Sequence, residues 1–235
     1  TRSYSVTGVQ TGALPICPCE KARKMALDHT LESIEIGKVL DSKYLSMWFA
    51  DGTTFPGQDD FIVRKHRMLD GLQASYDAMP ADMVMLLEYK FFEPAFYATD
   101  VPDWGTSMLM CQRIGDRAKV LVDLGHHPLS TNIEQIVANL LDEGMLGGFH
   151  FNNRRYADDD LTAASVNPYE FFLIYKELID DELNPARSNV IAYMVDQCHA
   201  LKPKVEEMIQ TVDAIQTAYA KASIIDRKEI GRAHV

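Results

Sequence analysis

The sequence lacks several features that would assign it to a common class of protein at once. No apolar run approaches the roughly 20 residues that a membrane-spanning helix needs. The four cysteines have neither the density nor the spacing of a disulfide framework or a zinc ribbon, which predicts a reduced, cytoplasmic protein. The 23 basic residues are outnumbered by 34 acidic ones, and the net charge of −11 disfavours a surface for nucleic acid or for an anionic membrane.

Motifs of several enzyme classes are also missing. No GxGxxG or GxxxxGK[ST] pattern is present, so a nucleotide site has no support. There is no GxSxG, and no cysteine stands in a recognisable nucleophile setting. Acids and histidines remain as the carriers of any chemistry.

The two ends of the chain look foreign to the rest. VTGVQTGALPI (6–16) resembles, at all but one position, the peptide obtained by translating a common sequencing adapter, and EIGRAHV (229–235) resembles its read-through in the other direction. Such segments are left out of fold reasoning. We therefore expect non-native tails at 1–17 and 229–235, and part of a longer protein at 18–228.

Between these ends, helical and strand-like patterns alternate steadily. The strands are apolar through their length, which indicates a parallel sheet buried on both faces. Strands are predicted at 44–50, 83–90, 119–126, 146–152 and 189–197. Helices are predicted at 20–41, 59–78, 103–114, 131–143, 168–182 and 203–222.

Four of the five predicted strands end in polar, chemically capable residues, and the other ends in Trp48. In a (β/α)8 barrel the C-terminal strand ends converge on one face, where catalytic groups lie. A doubly wound sheet uses that edge only around one crevice and rarely places polar side chains on every strand. We therefore predict an α/β fold, a (β/α)8 TIM barrel, present here as a partial barrel of about five βα units that lacks the N-terminal units.

The strand-end residues are mostly carboxylates and imidazoles. Oxygen and nitrogen donors without thiolate suit a divalent ion such as Mn²⁺, Mg²⁺, Co²⁺ or Zn²⁺. In an extended loop, Asp158 and Asp160 would share a face while Asp159 points elsewhere. One ion could be held by Glu88, Asp123, His150 and Asp196, and a second by His126, Asp158 and Asp160.

Simpler explanations exist for each candidate taken alone. An acid triplet such as 158–160 is usually solvated, and a strand-end histidine is more often a hydrogen-bonded structural residue. Asp123 or Glu88 could pair with Lys90 or Arg154, although Arg154 is more typical of a solvated loop than of a site. The seven candidates together favour metal binding, because unpaired buried carboxylates cost several kcal/mol and need a neutralising partner.

Five motifs follow one another in a fixed order. They are WFADGTTFPGQ (48–58), EYKFFEPAFYATDVPDWG (88–105), VDLGHH (122–127), GMLGGFHFNNRRYADDDL (144–161) and MVDQCH (194–199). Together they resemble the bacterial L-rhamnose isomerases of the xylose-isomerase-like barrel superfamily, over about residues 20–227. The resemblance implies a barrel, usually a tetramer, that binds two Mn²⁺-type ions and interconverts L-rhamnose and L-rhamnulose.

The resemblance also implies roles for individual residues. The structural ion would be bound by Glu88, Asp123, His150 and Asp196, and the catalytic ion by His126, Asp158 and Asp160. Substrate would be contacted by Trp48, Glu88, Lys90 and His126, and the catalytic groups would be Lys90, Asp196 and His126.

The expected function is therefore metal-dependent aldose–ketose isomerisation of L-rhamnose, with activity on other aldoses as an extension. Its partners would be a small sugar and Mn²⁺ (or Co²⁺, Mg²⁺ or Zn²⁺), with no nucleic acid or membrane, and the full-length parent would be a homotetramer. Two alternatives stay open: another two-metal barrel enzyme such as a sugar epimerase, and an inactive barrel fragment that at most binds a divalent ion. The family's first three βα units, which have no counterpart here, make the second alternative a serious one.

Overall fold

One curled sheet of five parallel strands organises the computed structural model, which describes residues 15–49, 52–53, 55–93, 97–187, 189–197 and 202–229. The order in the sheet is β1-β2-β5-β6-β7, so neighbours in space are also neighbours along the chain, apart from a two-stranded antiparallel ribbon, β3-β4. The strands are Tyr44–Met47 (β1), Val84–Glu88 (β2), Phe92–Glu93 (β3), Tyr97–Ala98 (β4), Ala118–Asp123 (β5), Leu146–Phe151 (β6) and Ala192–Val195 (β7).

Helices follow the strands of the large sheet and cover its outer face. Four of them begin at a side-chain cap, supplied by Asp60, Asp103, Asn132 and Asn167, which accept hydrogen bonds from otherwise unpaired N–H groups of the first turn. The helices are Glu20–Val39 (α1), Phe61–Ala78 (α2), Trp104–Ile114 (α3), Ile133–Asp142 (α4), Pro168–Glu182 (α5) and Lys204–Ser223 (α6), with a 3₁₀ turn at Leu124–His126.

The two faces of the sheet have different roles. Outward-facing side chains such as Leu87 and Val120 are fully buried in the main core against the helices. On the inner face, Leu86 and Leu121 form a smaller apolar cluster. Because side chains two residues apart share a face, the next inner positions along these strands are Glu88 and Asp123. The inner face therefore changes from apolar to charged at the C-terminal ends of the strands.

A bulge at Gly147 sets the register of the strand that carries His150. Val120 pairs with Leu146 but Leu121 pairs with Gly148, so Gly147 is an extra residue in β6. A Cβ at Gly147 would lie 2.4 Å from Lys119 Cβ and 2.5 Å from Leu86 Cδ2. Only glycine therefore allows this close approach, beyond which Asp123 and His150 face each other across the sheet.

The predicted fold class is confirmed: the sheet is about half of a barrel with helices outside it. The predicted strands are longer than the observed ones, since 189–197 pairs only over Ala192–Val195 and 119–126 turns into the 3₁₀ helix after Asp123. The β3-β4 ribbon was not predicted. No helix of the described residues is long and apolar enough to cross a membrane.

The N-terminal boundary of the domain stays a prediction. Residues 1–14 lie outside the described residues. Ile16, the last residue of the adapter-like segment, is buried in the core, and its carbonyl accepts a hydrogen bond of 3.0 Å from Arg67.

Candidate metal centre

Four side chains from four consecutive strands of the sheet converge on one point. His150 Nδ1 lies 3.3 Å from Glu88 Oε1, 3.5 Å from Asp196 Oδ2 and 3.6 Å from Asp123 Oδ2. Three of the four residues are buried, whereas the Asp196 side chain is 54% exposed and so opens to solvent. The set predicted for the first ion is therefore brought together.

His126 stands beside this group on the 3₁₀ turn after β5. Its Nδ1 lies 3.0 Å from the Tyr89 carbonyl oxygen and 3.3 Å from Glu88 Oε1. Because a carbonyl only accepts, Nδ1 carries the hydrogen there, and in a neutral ring the Nε2 lone pair is free to bind an ion. That Nε2 lies 3.1 Å from Asp158 Oδ1, so these two predicted ligands of the second ion also meet.

In the structure, the candidate ligands do not separate into the two sets that were predicted from the sequence. Ligand atoms of Glu88, Asp123 and His126 lie within 4.8 Å of one another, and so do those of Asp123, His150 and Asp196. Asp123 therefore belongs to both groups. Which ion each residue holds stays a prediction.

The three adjacent aspartates at 158–160 have different roles. The Asp159 carboxylate accepts hydrogen bonds from the backbone N–H groups of Arg155 and Tyr156, so it closes the loop. Asp158 and Asp160 lie on either side at φ values of 51° and 43°, in the left-handed region. The extended loop assumed from the sequence is therefore wrong, although Asp159 does point elsewhere than Asp158.

The charges of the centre shift the pKa values of its members. Burial lowers the pKa of His150, but Glu88 and Asp123 outweigh it and raise the pKa to about 11. Burial likewise lowers the pKa of His126, and the charges of Asp123 and its neighbours raise it to about 10. Burial, followed by repulsion from the other carboxylates, raises the pKa of Asp160 to about 7. The raised pKa values of the two histidines mark a place where positive charge is favoured, whereas that of Asp160 reflects burial first and the neighbouring carboxylates second.

Asn152 and Gly125 hold Asp123 in its orientation. The Asn152 amide donates to Asp123 Oδ1 at 2.9 Å and to the Asp196 carbonyl oxygen at 2.9 Å, and the Gly125 N–H donates to the same Oδ1 at 2.7 Å. Asp123 Oδ2 is thus the atom left facing His150. Asn152 comes directly after β6, two residues beyond His150, and this period of two was the signal that could have given it a role.

His127 and Arg154 are buried residues that support the turn carrying His126. Burial, with the nearby Arg154 charge, lowers the pKa of His127 to about 3, and its Nε2 lies 2.6 Å from the Tyr89 hydroxyl. Arg154 is buried and donates to the Leu124 carbonyl at 3.0 Å and to Glu170 at 3.1 Å. The interpretation of Arg154 as a solvated arginine is wrong, because it clamps the His126 turn onto α5.

The predicted substrate residues surround the open side of the centre. Lys90 Nζ lies 2.5 Å from Asp158 Oδ2 and 5.2 Å from the centre of the Trp48 ring, which is itself 6.3 Å from the His126 ring. A cavity of about 300 Å³ adjoins them. Its lining has a polar side of Lys90, His126 and Asp158 and an apolar side of Phe91, Phe92, Pro128, Leu129 and Tyr156.

This arrangement fits a divalent ion bound next to a small polyol. The donors are carboxylate oxygens and imidazole nitrogens, the ligand types that Mn²⁺, Mg²⁺, Co²⁺ and Zn²⁺ share. With neutral imidazoles the lone pairs of these atoms would face one another at 3.3–3.6 Å around His150, and a cation between them would remove the repulsion. The adjoining ammonium and indole can contact hydroxyl groups and a sugar-ring face.

Comparison with known proteins shows two curated relatives. A protein of Mesorhizobium japonicum described as a probable sugar isomerase is 48% identical over 208 residues, which is 88% of this chain and 48% of the relative. A probable sugar isomerase of Rhizobium meliloti is 47% identical over the same length and shares. The chain therefore spans about half the length of the curated relatives it matches. No protein-family profile matches the sequence.

Solved structures of similar shape establish the fold. A D-psicose 3-epimerase superposes with a TM-score of 0.63 at 11% identity, covering 95% of this chain and 77% of the other. A xylose isomerase domain protein from Alicyclobacillus acidocaldarius gives 0.62 at 12% identity, covering 89% and 76%. A protein with a bound zinc atom gives 0.55 at 14% identity, covering 88% and 71%. The chain has the fold of xylose-isomerase-like sugar isomerase and epimerase barrels.

Proposed function

We propose that this chain forms the metal-binding and catalytic face of an aldose–ketose isomerase that interconverts L-rhamnose and L-rhamnulose. The observation that carries the proposal is the convergence of Glu88, Asp123 and Asp196 on His150 Nδ1, with the Lys90 ammonium beside them. Two relatives described as probable sugar isomerases support the general reaction. The choice of L-rhamnose rests on the five resembling motifs alone.

The cofactor in this proposal is a pair of divalent ions, and Mn²⁺ is the expected metal. A divalent ion bound by these ligands supplies Lewis-acid polarisation of neighbouring sugar oxygens. The first would be held by Glu88, Asp123, His150 and Asp196, and the second by His126, Asp158 and Asp160.

The protein's own groups would then orient the open-chain sugar and move its protons. Lys90 donates a hydrogen bond to O1 and stabilises the negative charge that develops there. The half-exposed Asp196 carboxylate accepts the O2 proton, and this proton is returned to O1 after hydrogen has moved from C2 to C1. The Trp48 ring and the apolar side of the cavity exclude water from the carbon atoms.

Hydrogen can move between C2 and C1 in two ways. A hydride shift keeps the hydrogen out of contact with solvent, whereas an enediol route passes it through an acid/base group as a proton. Deuterium placed at C2 separates them: retention in the ketose supports the shift, and exchange with water supports the enediol.

A sugar epimerase is the second candidate, because a D-psicose 3-epimerase shares the fold. The test is incubation of the chain with MnCl₂ and L-rhamnose, and separately with D-fructose, with products identified by NMR. We expect L-rhamnulose from the first, loss of activity with EDTA or in Lys90→Met, and full activity in Lys24→Met, which changes an exposed lysine of α1. A C3-epimer from D-fructose alone would favour the epimerase, and no product from either sugar would favour the inactive metal-binding fragment.

Homotetramer assembly and a cytoplasmic location stay predictions.

A further inference from the structure

Lys90 is a buried ammonium that has two carboxylate partners. Its side chain is 4% exposed, and its Nζ lies 2.5 Å from Asp158 Oδ2 and 2.8 Å from Glu93 Oε2. A buried charge costs several kcal/mol unless it is paired, so Lys90 needs an ion pair with at least one of these carboxylates.

Asp158 has a second task that Glu93 does not have. Its Oδ1 lies 3.1 Å from His126 Nε2, so its two oxygens are divided between the histidine and Lys90. In the proposed function Asp158 is also a metal ligand, which draws its charge towards the ion. Glu93 belongs to neither candidate group of metal ligands among the described residues. Among the described residues, Lys90 is the cation that lies within ion-pair distance of Glu93.

The backbone fixes where Glu93 stands relative to Lys90. Glu93 pairs with Tyr97 in the β3-β4 ribbon, and the chain leaving this ribbon returns to Lys90. There the Lys90 N–H donates to the Val101 carbonyl at 3.0 Å, and the Thr99 hydroxyl donates to the Lys90 carbonyl. The backbone at Glu93 is therefore held by the ribbon on one side and by the hydrogen bonds at Lys90 on the other.

The loop after β1 ties the same ribbon to the Trp48 side of the site. Gly52 forms a bridge with Thr99, and the Thr53 N–H donates to the Ala98 carbonyl at 3.1 Å. The β3-β4 ribbon is thus attached to the segment that carries Lys90 and also to the loop that follows Trp48.

We propose that Glu93 is a positioning residue: through the β3-β4 ribbon it holds the Lys90 ammonium between Asp158 and the Trp48 ring, where it can meet a substrate oxygen. This role rests on the proposed function for its catalytic consequence, but not for the placement of Lys90. Glu93 acts through Lys90 and does not itself touch the sugar.

The chain offers a matched control in the Lys38–Glu35 pair of α1. It has the same three-residue separation and a distance of 2.5 Å, but its side chains are 38% and 69% exposed. Such surface pairs contribute little, so Glu35→Ala should leave Lys90, metal binding and turnover unchanged.

The test compares crystal structures and kinetics of the parent, Glu93→Ala, Glu93→Asp and Glu35→Ala, all with Mn²⁺. In Glu93→Ala we expect Lys90 Nζ to lie about 1 Å or more from its position in the parent. We also expect kcat to fall about 10- to 100-fold, with a smaller change in KM. Glu93→Asp, which keeps the charge, should recover part of kcat. A Lys90 ammonium that stays in place in Glu93→Ala would overturn the proposal, as would a kcat equal to that of an active parent. If the parent converts no sugar, the proposed function fails, while the crystal structures still decide the role of Glu93.

Discussion

His150 Nδ1 and Glu88 Oε1 lie 3.3 Å apart although 62 positions separate the two residues in the chain. The contact crosses β5, which stands between β2 and β6 in the sheet. In the register of the sheet, Glu88 pairs with Leu121, two residues before Asp123, and after the Gly147 bulge Asp123 pairs with His150. The site is thus a product of strand register, so changes that disturb its support should affect metal binding in predictable ways.

Replacing Asn152 should weaken metal binding without removing a ligand. In Asn152→Ala, Asp123 loses the amide that orients its carboxylate, and the Asp196 carbonyl loses the same donor. We expect Mn²⁺ affinity to fall about 10- to 100-fold, as is typical for partners that orient metal ligands. Isothermal titration calorimetry measures this.

Asn132→Ala is the control for that experiment. Asn132 caps α4 from an exposed position and belongs to neither candidate group of metal ligands among the described residues, so its loss should cost about 1 kcal/mol of stability and leave the affinity unchanged. Equal Mn²⁺ affinities of Asn152→Ala and the parent would show that Asp123 does not depend on its amide partner.

Asp160→Asn should change how stability depends on pH. The pKa of Asp160 is raised to about 7 in the folded chain, from about 3.9 in an unfolded one. Between these values the folded state binds more protons, so this group's contribution to the free energy of unfolding decreases as the pH rises. Asparagine cannot ionise and lacks this decrease. In urea denaturation with EDTA, the free energy of unfolding of the variant should therefore rise relative to that of the parent from pH 5 to pH 8. A difference between the two that does not change with pH would contradict the raised pKa of Asp160.

Much of the fold could be predicted from the sequence, and the reasons are local. The five strands of the sheet are mostly apolar runs, and caps such as Asp60 and Asn167 mark where helices begin. The β3-β4 ribbon escaped prediction because each of its strands has two residues, too few to show an alternation. Strand ends were overestimated for a related reason, since apolar residues continue past the last ladder hydrogen bond.

The residues that support the site were harder to predict than its ligands. Arg154 resembles a loop arginine until Glu170, 16 residues later, is placed beside it by α5. Glu93 has no distinguishing pattern in the sequence, because its role depends on a turn of the backbone that brings it back to Lys90. Asn152 was marked only by its position two residues after His150, which does not show that its amide meets Asp123. Asp158 and Asp160 were assigned to the metal site through a conformation that the loop does not adopt.

Gly52→Ala should disturb the ribbon that carries Glu93. A Cβ at Gly52 would lie 1.9 Å from the Ala98 carbonyl oxygen, a backbone atom that cannot move aside alone. We expect a loss of about 1–3 kcal/mol of stability, as for overpacked interiors. Urea denaturation provides the measurement. Gly37→Ala is the control, since its Cβ would lie 3.2 Å from the flexible end of Met83 and 3.8 Å from Ser42 Cβ. Gly37 lies within α1, where alanine is favoured over glycine by up to about 1 kcal/mol. Equal effects of the two substitutions would contradict the proposed close contact.

The Arg154–Glu170 pair should behave as a buried ion pair in a double-mutant cycle. The two side chains are 3% and 12% exposed. Arg154→Met alone leaves Glu170 buried without its cation and should cost about 3–5 kcal/mol. Adding Glu170→Gln removes that stranded charge, so the double variant should be less destabilised than the sum of the single ones. Additive costs would mean that the pair is not coupled.

The central claim, that the strand ends form two adjacent metal sites, is tested most directly by a Mn²⁺ titration of the 235-residue chain by calorimetry. His150→Ala and Asp158→Ala are titrated beside it. The account predicts two saturable sites in the parent, with a different one weakened in each variant. The absence of saturable binding in the parent, or variants that bind as the parent does, would contradict it.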